Sequence, residues 1–170
     1  TVKINEICSS NGGNWANGDT FKDKSGDFCD YIELYNTTDK EVSLSGWGVS
    51  DDADALFKSV LPNGTKIAAN GYLIVYCSKA GSDELCVSLG ISANGETVYL
   101  TTPDGTQTHK VEVPALEKDT TYSATSDGGD DFAVFYPSPG ASNTTAGAVV
   151  ELPTFSVPAG FYESGFSVEI

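Results

Sequence analysis

Arginine and methionine are absent from this 170-residue chain, and histidine occurs once. Arginine's planar fork is the side chain best fitted to bidentate recognition of phosphate and carboxylate, so its absence removes the usual tools for nucleotide substrates. Positive charge is scarce as well: 9 Lys stand against 24 acidic residues, giving a net charge of −15. Such a field repels DNA, RNA and anionic lipid and argues against any nucleic-acid partner. No apolar run reaches the length of about 18 residues that a membrane-spanning helix needs, so direct membrane insertion is not expected. Thr1 leads straight into a strand-like segment with no basic or apolar leader before it, which reads as an internal piece of a longer exported protein.

No segment sustains a 3.6-residue apolar period. Short alternating runs take its place: Val2-Lys3-Ile4-Asn5, Asp30-Tyr31-Ile32-Glu33-Leu34-Tyr35, and stretches at 42–44, 47–50, 56–60, 71–77, 96–101, 108–113 and 132–136. Period-two alternation marks half-buried strands. Turn chemistry separates them at Pro62-Asn63-Gly64, Ala69-Asn70-Gly71, Ala93-Asn94-Gly95 and Pro103-Asp104-Gly105. Many short strands with Asn-Gly and Asp-Gly turns predict an all-β sandwich of antiparallel strands. The domain is expected over 1–146. Residues 147–170, about twenty of which cannot bury a core alone, read as a linker plus the first strand or two of a truncated second β module. The alternative for them is a last strand of the same sandwich.

The four cysteines lack the C-x-x-C spacing of zinc and redox sites. Two disulfides are expected, Cys8 with Cys29 and Cys77 with Cys86, because each pair brackets a local loop ending on a predicted strand. Each bridge would contribute about 3 kcal/mol on the loop-entropy account. Four buried thiols are the alternative. The disulfide reading is the main support for a secreted or cell-surface location.

Candidate chemistry is thin. His109 has no Ser or Cys in a nucleophile motif to serve and is expected on the solvent face of a strand. Asp51, Asp52 and Asp54 follow a strand, and Asp127, Asp130 and Asp131 lie in a Gly-containing loop. Either cluster has the carboxylate content for Ca²⁺, yet neither follows the Asp-x-Asp-x-Asp-Gly loop, so solvated turn residues are the simpler account and no cofactor is expected. Period two places Tyr31, Glu33 and Tyr35 together, Tyr72, Ile74 and Tyr76 together, and Thr97, Tyr99 and Thr101 together. With Trp15, residues Tyr31, Tyr35, Tyr72 and Tyr76 form a candidate ligand surface for protein or polysaccharide; the alternative is that the rings serve only as packing.

The ordered motifs Ile4-Asn5-Glu6-Ile7, Asp30-Tyr31-Ile32-Glu33-Leu34-Tyr35-Asn36, Leu44-Ser45-Gly46-Trp47 with Ser50-Asp51-Asp52, Leu61-Pro62-Asn63-Gly64-Thr65, Gly71-Tyr72-Leu73-Ile74-Val75, Gly95-Glu96-Thr97-Val98-Tyr99-Leu100 and Pro139-Gly140-Ala141-Ser142-Asn143 resemble the lamin-tail domain in its bacterial extracellular form. The resemblance runs over about 1–143. It implies an immunoglobulin-like sandwich without catalytic residues, serving as an interaction or spacer module. It further implies neighbouring domains in the parent chain, a chitobiase-like β module and a spore-coat CotH-like kinase domain. A carbohydrate-binding module that targets an attached enzyme is the second reading. The cysteines and the long loop after Cys8 are departures about which the family says little.

Overall fold

The computed structural model describes residues 1–13, 21–78 and 85–149. Among these described residues twelve strands and one short helix follow in order: β1 (Val2–Cys8), β2 (Asp30–Asn36), β3 (Val42–Ser43), β4 (Gly48–Ser50), β5 (Ser59–Val60), β6 (Lys66–Ile67), β7 (Tyr72–Cys77), β8 (Cys86–Val87), β9 (Glu96–Thr101), β10 (Thr108–Val113), β11 (Thr121–Ala124), β12 (Phe132–Phe135) and α1 (Asn143–Ala146). They build a six-stranded sheet in the order β12-β11-β1-β2-β7-β8, a four-stranded sheet in the order β10-β9-β4-β5, and the small β3-β6 pair. All pairings are antiparallel except β7 with β8.

Alternation decides which side chains face the interior. Ile4, Ile7, Ile32, Leu34, Val75 and Cys77 line the inner face of the larger sheet, opposite Val49, Val98, Leu100, Val111 and Val113 of the smaller one. Leu44, Trp47, Leu61 and Ile67 close one side of this core. Burying each such side chain stabilises the fold by about 1.5–3 kcal/mol, which makes the apolar alternation the main determinant of the sandwich.

Glycine is required where a turn must reverse tightly. Gly95 has φ +94°, and a Cβ there would lie 2.8 Å from the Val113 carbonyl oxygen, so the turn before β9 excludes a side chain on two counts. Residues 147–149 run beside β12: Val149 donates its backbone N–H to the Val134 carbonyl at 2.8 Å, and Phe135 bridges Ala148. The expected linker therefore begins with strand-paired residues at 147–149. The expected second module lies otherwise outside the described residues.

The expected disulfides are not formed among the described residues. On the parallel β7-β8 pair, Cys77 stands beside Val87 and Cys86 beside Tyr76. A one-residue offset turns two side chains to opposite faces of a sheet, so Cys77 points into the core while Cys86 lies on the outer side. Cys8 is opposite Tyr31 on the outer face, whereas Cys29 precedes β2.

A buried acid pair as the candidate functional site

The outer face of the larger sheet carries its unusual chemistry. A β-bulge interrupts β1 between Ile4 and Glu6, with Asn5 as the extra residue, and brings Glu6 directly opposite Glu33 of β2. Neither glutamate has any solvent exposure. Two acids in adjacent register repel each other and lose hydration, an arrangement that persists only with compensating hydrogen bonds.

Those bonds come from four parts of the chain. The Glu6 carboxylate accepts the Tyr31 hydroxyl at 2.5 Å, the Ser123 hydroxyl at 3.3 Å, the Ser138 hydroxyl at 2.8 Å and the Ser138 backbone N–H at 3.1 Å. Glu33 accepts the Asn5 amide at 2.9 Å and the Gly140 N–H at 2.6 Å. Asn143 donates to the carbonyls of Asn5 and Ala124, and the Asn5 side-chain oxygen accepts the Gly128 N–H at 2.9 Å. Asp127 joins the rim, accepting the Tyr72 hydroxyl at 2.7 Å. The segment 138–143 is thereby held across the sheet as a lid on the acids.

Charge divides unequally within this cluster. Burial pushes Glu33 up to about 8, against the Asn5 hydrogen bond and with the Glu6 charge adding to the rise. Burial also raises Glu6, opposed by the bonds from Tyr31, Ser138 and Ser123. The two carboxyls share one hydrogen-bonded cluster and titrate jointly, Glu33 with two donors and Glu6 with four contacts from donors. Tyr31 is held well above an ordinary phenol, first by its burial and then by the Glu6 charge. At the rim, partial burial pushes Asp127 upward, but hydrogen bonds led by that from Tyr72 prevail and hold it below the usual range.

The carboxylates of this cluster are sealed from solvent, and the hydroxyls that reach Glu6, those of Tyr31, Ser123 and Ser138, are themselves buried. Among the described residues no histidine hydrogen-bonds either acid. His109 is elsewhere: it shares the inward parity of Val111 and Val113 on β10 and accepts the Ile4 backbone N–H through Nδ1 at 3.1 Å. The solvent-face expectation for His109 is therefore corrected: β11 pairs with β1 only at Glu6 and Ile7, which leaves the Ile4 N–H to this side chain. Burial lowers its pKa, as does Lys3, against the pull of Asp130.

The remaining expected site residues separate. Tyr31, Tyr35, Tyr72 and Tyr76 do share the outer face, in the registered pairs Tyr31 with Tyr76 and Tyr35 with Tyr72. They do not form an exposed strip. Tyr31 is fully buried, Phe21 stacks on Tyr76 with ring centroids 5.4 Å apart, and Tyr35 and Tyr72 pack at 5.0 Å, all three tyrosines half-buried. Tyr31 is thus corrected from ligand surface to core of the outer layer. Trp15 lies outside the described residues.

The aspartates do not converge either. Asp51 is taken up by Lys58 at 2.7 Å, and Asp52 caps the Asp54 N–H at 2.8 Å. Among the described residues no three His, Cys, Asp or Glu side chains are grouped to hold a metal ion, so the Asp51, Asp52 and Asp54 candidate for Ca²⁺ is withdrawn. Of the other cluster, Asp127 belongs to the lid and Asp130 to Lys3 at 2.6 Å.

The motifs that build the seam, Asn5-Glu6 on β1 and Tyr31 with Glu33 on β2, fall within the span where the Lamin Tail Domain family model matches, residues 1–115. The chain belongs to the lamin tail domain family. Lamin tail domains are non-catalytic, immunoglobulin-like sandwiches that act in protein interaction, and the two-sheet architecture here is of that kind. No curated protein and no solved structure matches the chain. The lid residues Ser138, Gly140 and Asn143 lie beyond the match, so the sealed seam joins the family portion to the residues that follow it.

Sequence reasoning missed the seam. The signal available was Glu33 itself, a charged residue between Tyr31 and Tyr35 on a face otherwise aromatic.

Proposed function

We propose that this lamin tail domain is a non-catalytic interaction and spacer module of a secreted or cell-surface, multi-domain bacterial protein, making protein contacts and positioning neighbouring domains such as a following β module. The observation that carries the reading is the seam: its perturbed acids are fully buried and spent on holding the 138–143 lid, as in a scaffold rather than a reaction site. The acidic composition and the resemblance of residues 1–143 to extracellular forms of the domain support the location. With no disulfide among the described residues, that location rests on these features alone.

A polysaccharide-binding role through the surface tyrosines loses its basis in the burial of Tyr31 and the engagement of the Tyr72 hydroxyl by Asp127. Impermeant biotinylation and cross-linking on cells making the full-length parent tests the proposal. Labelling of the domain from outside, with cross-links to other proteins, is expected. Protection of the domain inside intact cells would contradict export, and labelling without protein cross-links would contradict the interaction role.

A further inference from the structure

The two sheets differ in width, and the difference leaves a strand position open. The smaller sheet ends at β10, which packs over β1, while the larger sheet continues past β1 to β11 and β12. Tyr122 shares the inward parity of Ile7, and Phe132 and Val134 share that of Tyr122 through the β11-β12 register. These three side chains touch the core yet remain half-buried, and among the described residues no strand follows β10 to cover them.

The edge of β10 beside this overhang has backbone groups to offer. Thr102 donates its N–H to the Gln107 carbonyl at 2.9 Å, so Gln107 turns its backbone toward β9. Bonded and non-bonded pairs alternate along an antiparallel ladder, and the register therefore turns the N–H and C=O groups of Thr108, Lys110 and Glu112 away from β9. A groove of about 490 Å³ runs along this edge; five consecutive residues, 108–112, form one wall, with Tyr122, Phe132 and Asp131 among the residues of the other. A second, apolar groove of about 340 Å³, lined in part by Leu116, Val134 and Val149, lies at the other part of the overhang.

We infer that β10 and the overhang form a docking site for an extended, basic peptide segment of a partner protein, which adds as a strand to β10. Backbone hydrogen bonds to Thr108, Lys110 and Glu112 hold the added strand in register, and its inward side chains, every second residue, cover Tyr122, Phe132 and Val134. Charge selects the class of segment. Lys110 is already engaged by Glu112 at 2.8 Å and Lys3 by Asp130 at 2.6 Å, Asp131 adds a further negative charge, and the chain as a whole carries −15. Outward lysines or arginines on the added strand complement this surface. Acidic segments, including those of a second copy of this chain, are disfavoured by the same field, and the charged Lys110–Glu112 edge guards against indiscriminate pairing. The inference rests on the protein-interaction reading and assigns it a surface.

A labelled peptide of alternating lysine and valine, about as long as β10, serves as the probe on the full 170-residue chain, read by fluorescence polarisation and amide NMR. Saturable binding is expected, with slowed exchange at the Thr108, Lys110 and Glu112 amides, and weaker binding of a glutamate–valine peptide. Lys110→Pro removes one outward N–H without touching the β9 ladder, and reduces affinity about tenfold, the equivalent of one backbone hydrogen bond. Lys110→Ala, which keeps that N–H, retains most of the affinity. If the proline variant fails to fold, a peptide methylated on the amides facing β10 replaces it and must not bind the unaltered chain. Exchange already slow at these three amides before peptide is added would show the position filled by the chain itself or a second copy, and would overturn the inference. Binding that maps elsewhere, or that survives both the proline and the methylation, would overturn it too. Absence of peptide binding, with protein cross-links on cells intact, would overturn the strand site while leaving the interaction role standing.

Discussion

Raising the pH should destabilise this protein through Glu33, well within the range where exposed glutamates are inert. The carboxyl rises from the ordinary 4.5 to about 8 in the fold, with burial as the largest cause. The folded chain thus holds this proton more tightly than the unfolded chain. Stability from Glu33 is fully present below about 4.5 and is lost as pH climbs toward 8. At 1.36 kcal/mol per pH unit, less the half-ionisation of folded Glu33 at its own midpoint, the loss between pH 6.5 and 8 is about 1.6 kcal/mol. His109 acts in the opposite sense, since its depressed pKa makes stability fall as pH drops through about 6.5, and Asp30, raised to about 6, has lost most of its effect above that pH, so the acid pair dominates toward pH 8. Urea unfolding at fixed ionic strength should show a midpoint that falls steadily from pH 6.5 to 8 with an unchanged m-value. Glu33→Gln lowers stability where it leaves Asn5 or Gly140 without an acceptor, but it should flatten the slope. A flat or rising profile in the unaltered protein, or a slope that survives in Glu33→Gln, would refute the reasoning.

Other outcomes follow from the same contacts. Tyr31→Phe deletes the buried hydroxyl bonded to Glu6 and should cost about 1.5–3 kcal/mol in urea unfolding; a loss near zero would mean the bond is not formed. Gly95→Ala meets both a positive φ and the Val113 carbonyl, and should lower the thermal midpoint by several degrees, an effect of about 1–3 kcal/mol. Mass spectrometry after alkylation without reductant should find no labelling of Cys8 or Cys77 in the native protein, where burial raises both thiols, and four labelled thiols after denaturation. Recovery of an unlabelled pair after denaturation would restore a disulfide.

The fold was legible where aliphatic residues alternate with polar or aromatic ones. Val2 to Ile4, Ile32 with Leu34, Val98 with Leu100 and Val111 with Val113 alternate because one face meets the core, and the Asn-Gly and Asp-Gly turns mark their ends. The structure adds β11, whose Thr121-Tyr122-Ser123-Ala124 is not among the alternating apolar runs; its Thr and Ser are buried because the outer face of this sheet is a polar interior, facing Glu6. The strands β6 and β8 are two residues long, too short for any period. The acid seam was illegible for a different reason. Glu6, Glu33, Ser138 and Asn143 are far apart in the chain, and only a bulge in β1 and a lid from 138–143 bring them together. The tyrosines were placed on the correct common face, but alternation cannot tell an exposed outer face from one covered by loops.

The most direct measurement is a carbon-detected NMR titration of the Glu6 and Glu33 side-chain carboxyls in the folded chain. The account predicts a Glu33 midpoint near 8, a Glu6 midpoint above the ordinary range, and mutual perturbation of the two curves. Independent titration of both carboxyls at the ordinary 4.5 would contradict it, for it would place the acids in water and leave the lid over the outer sheet without its anchor.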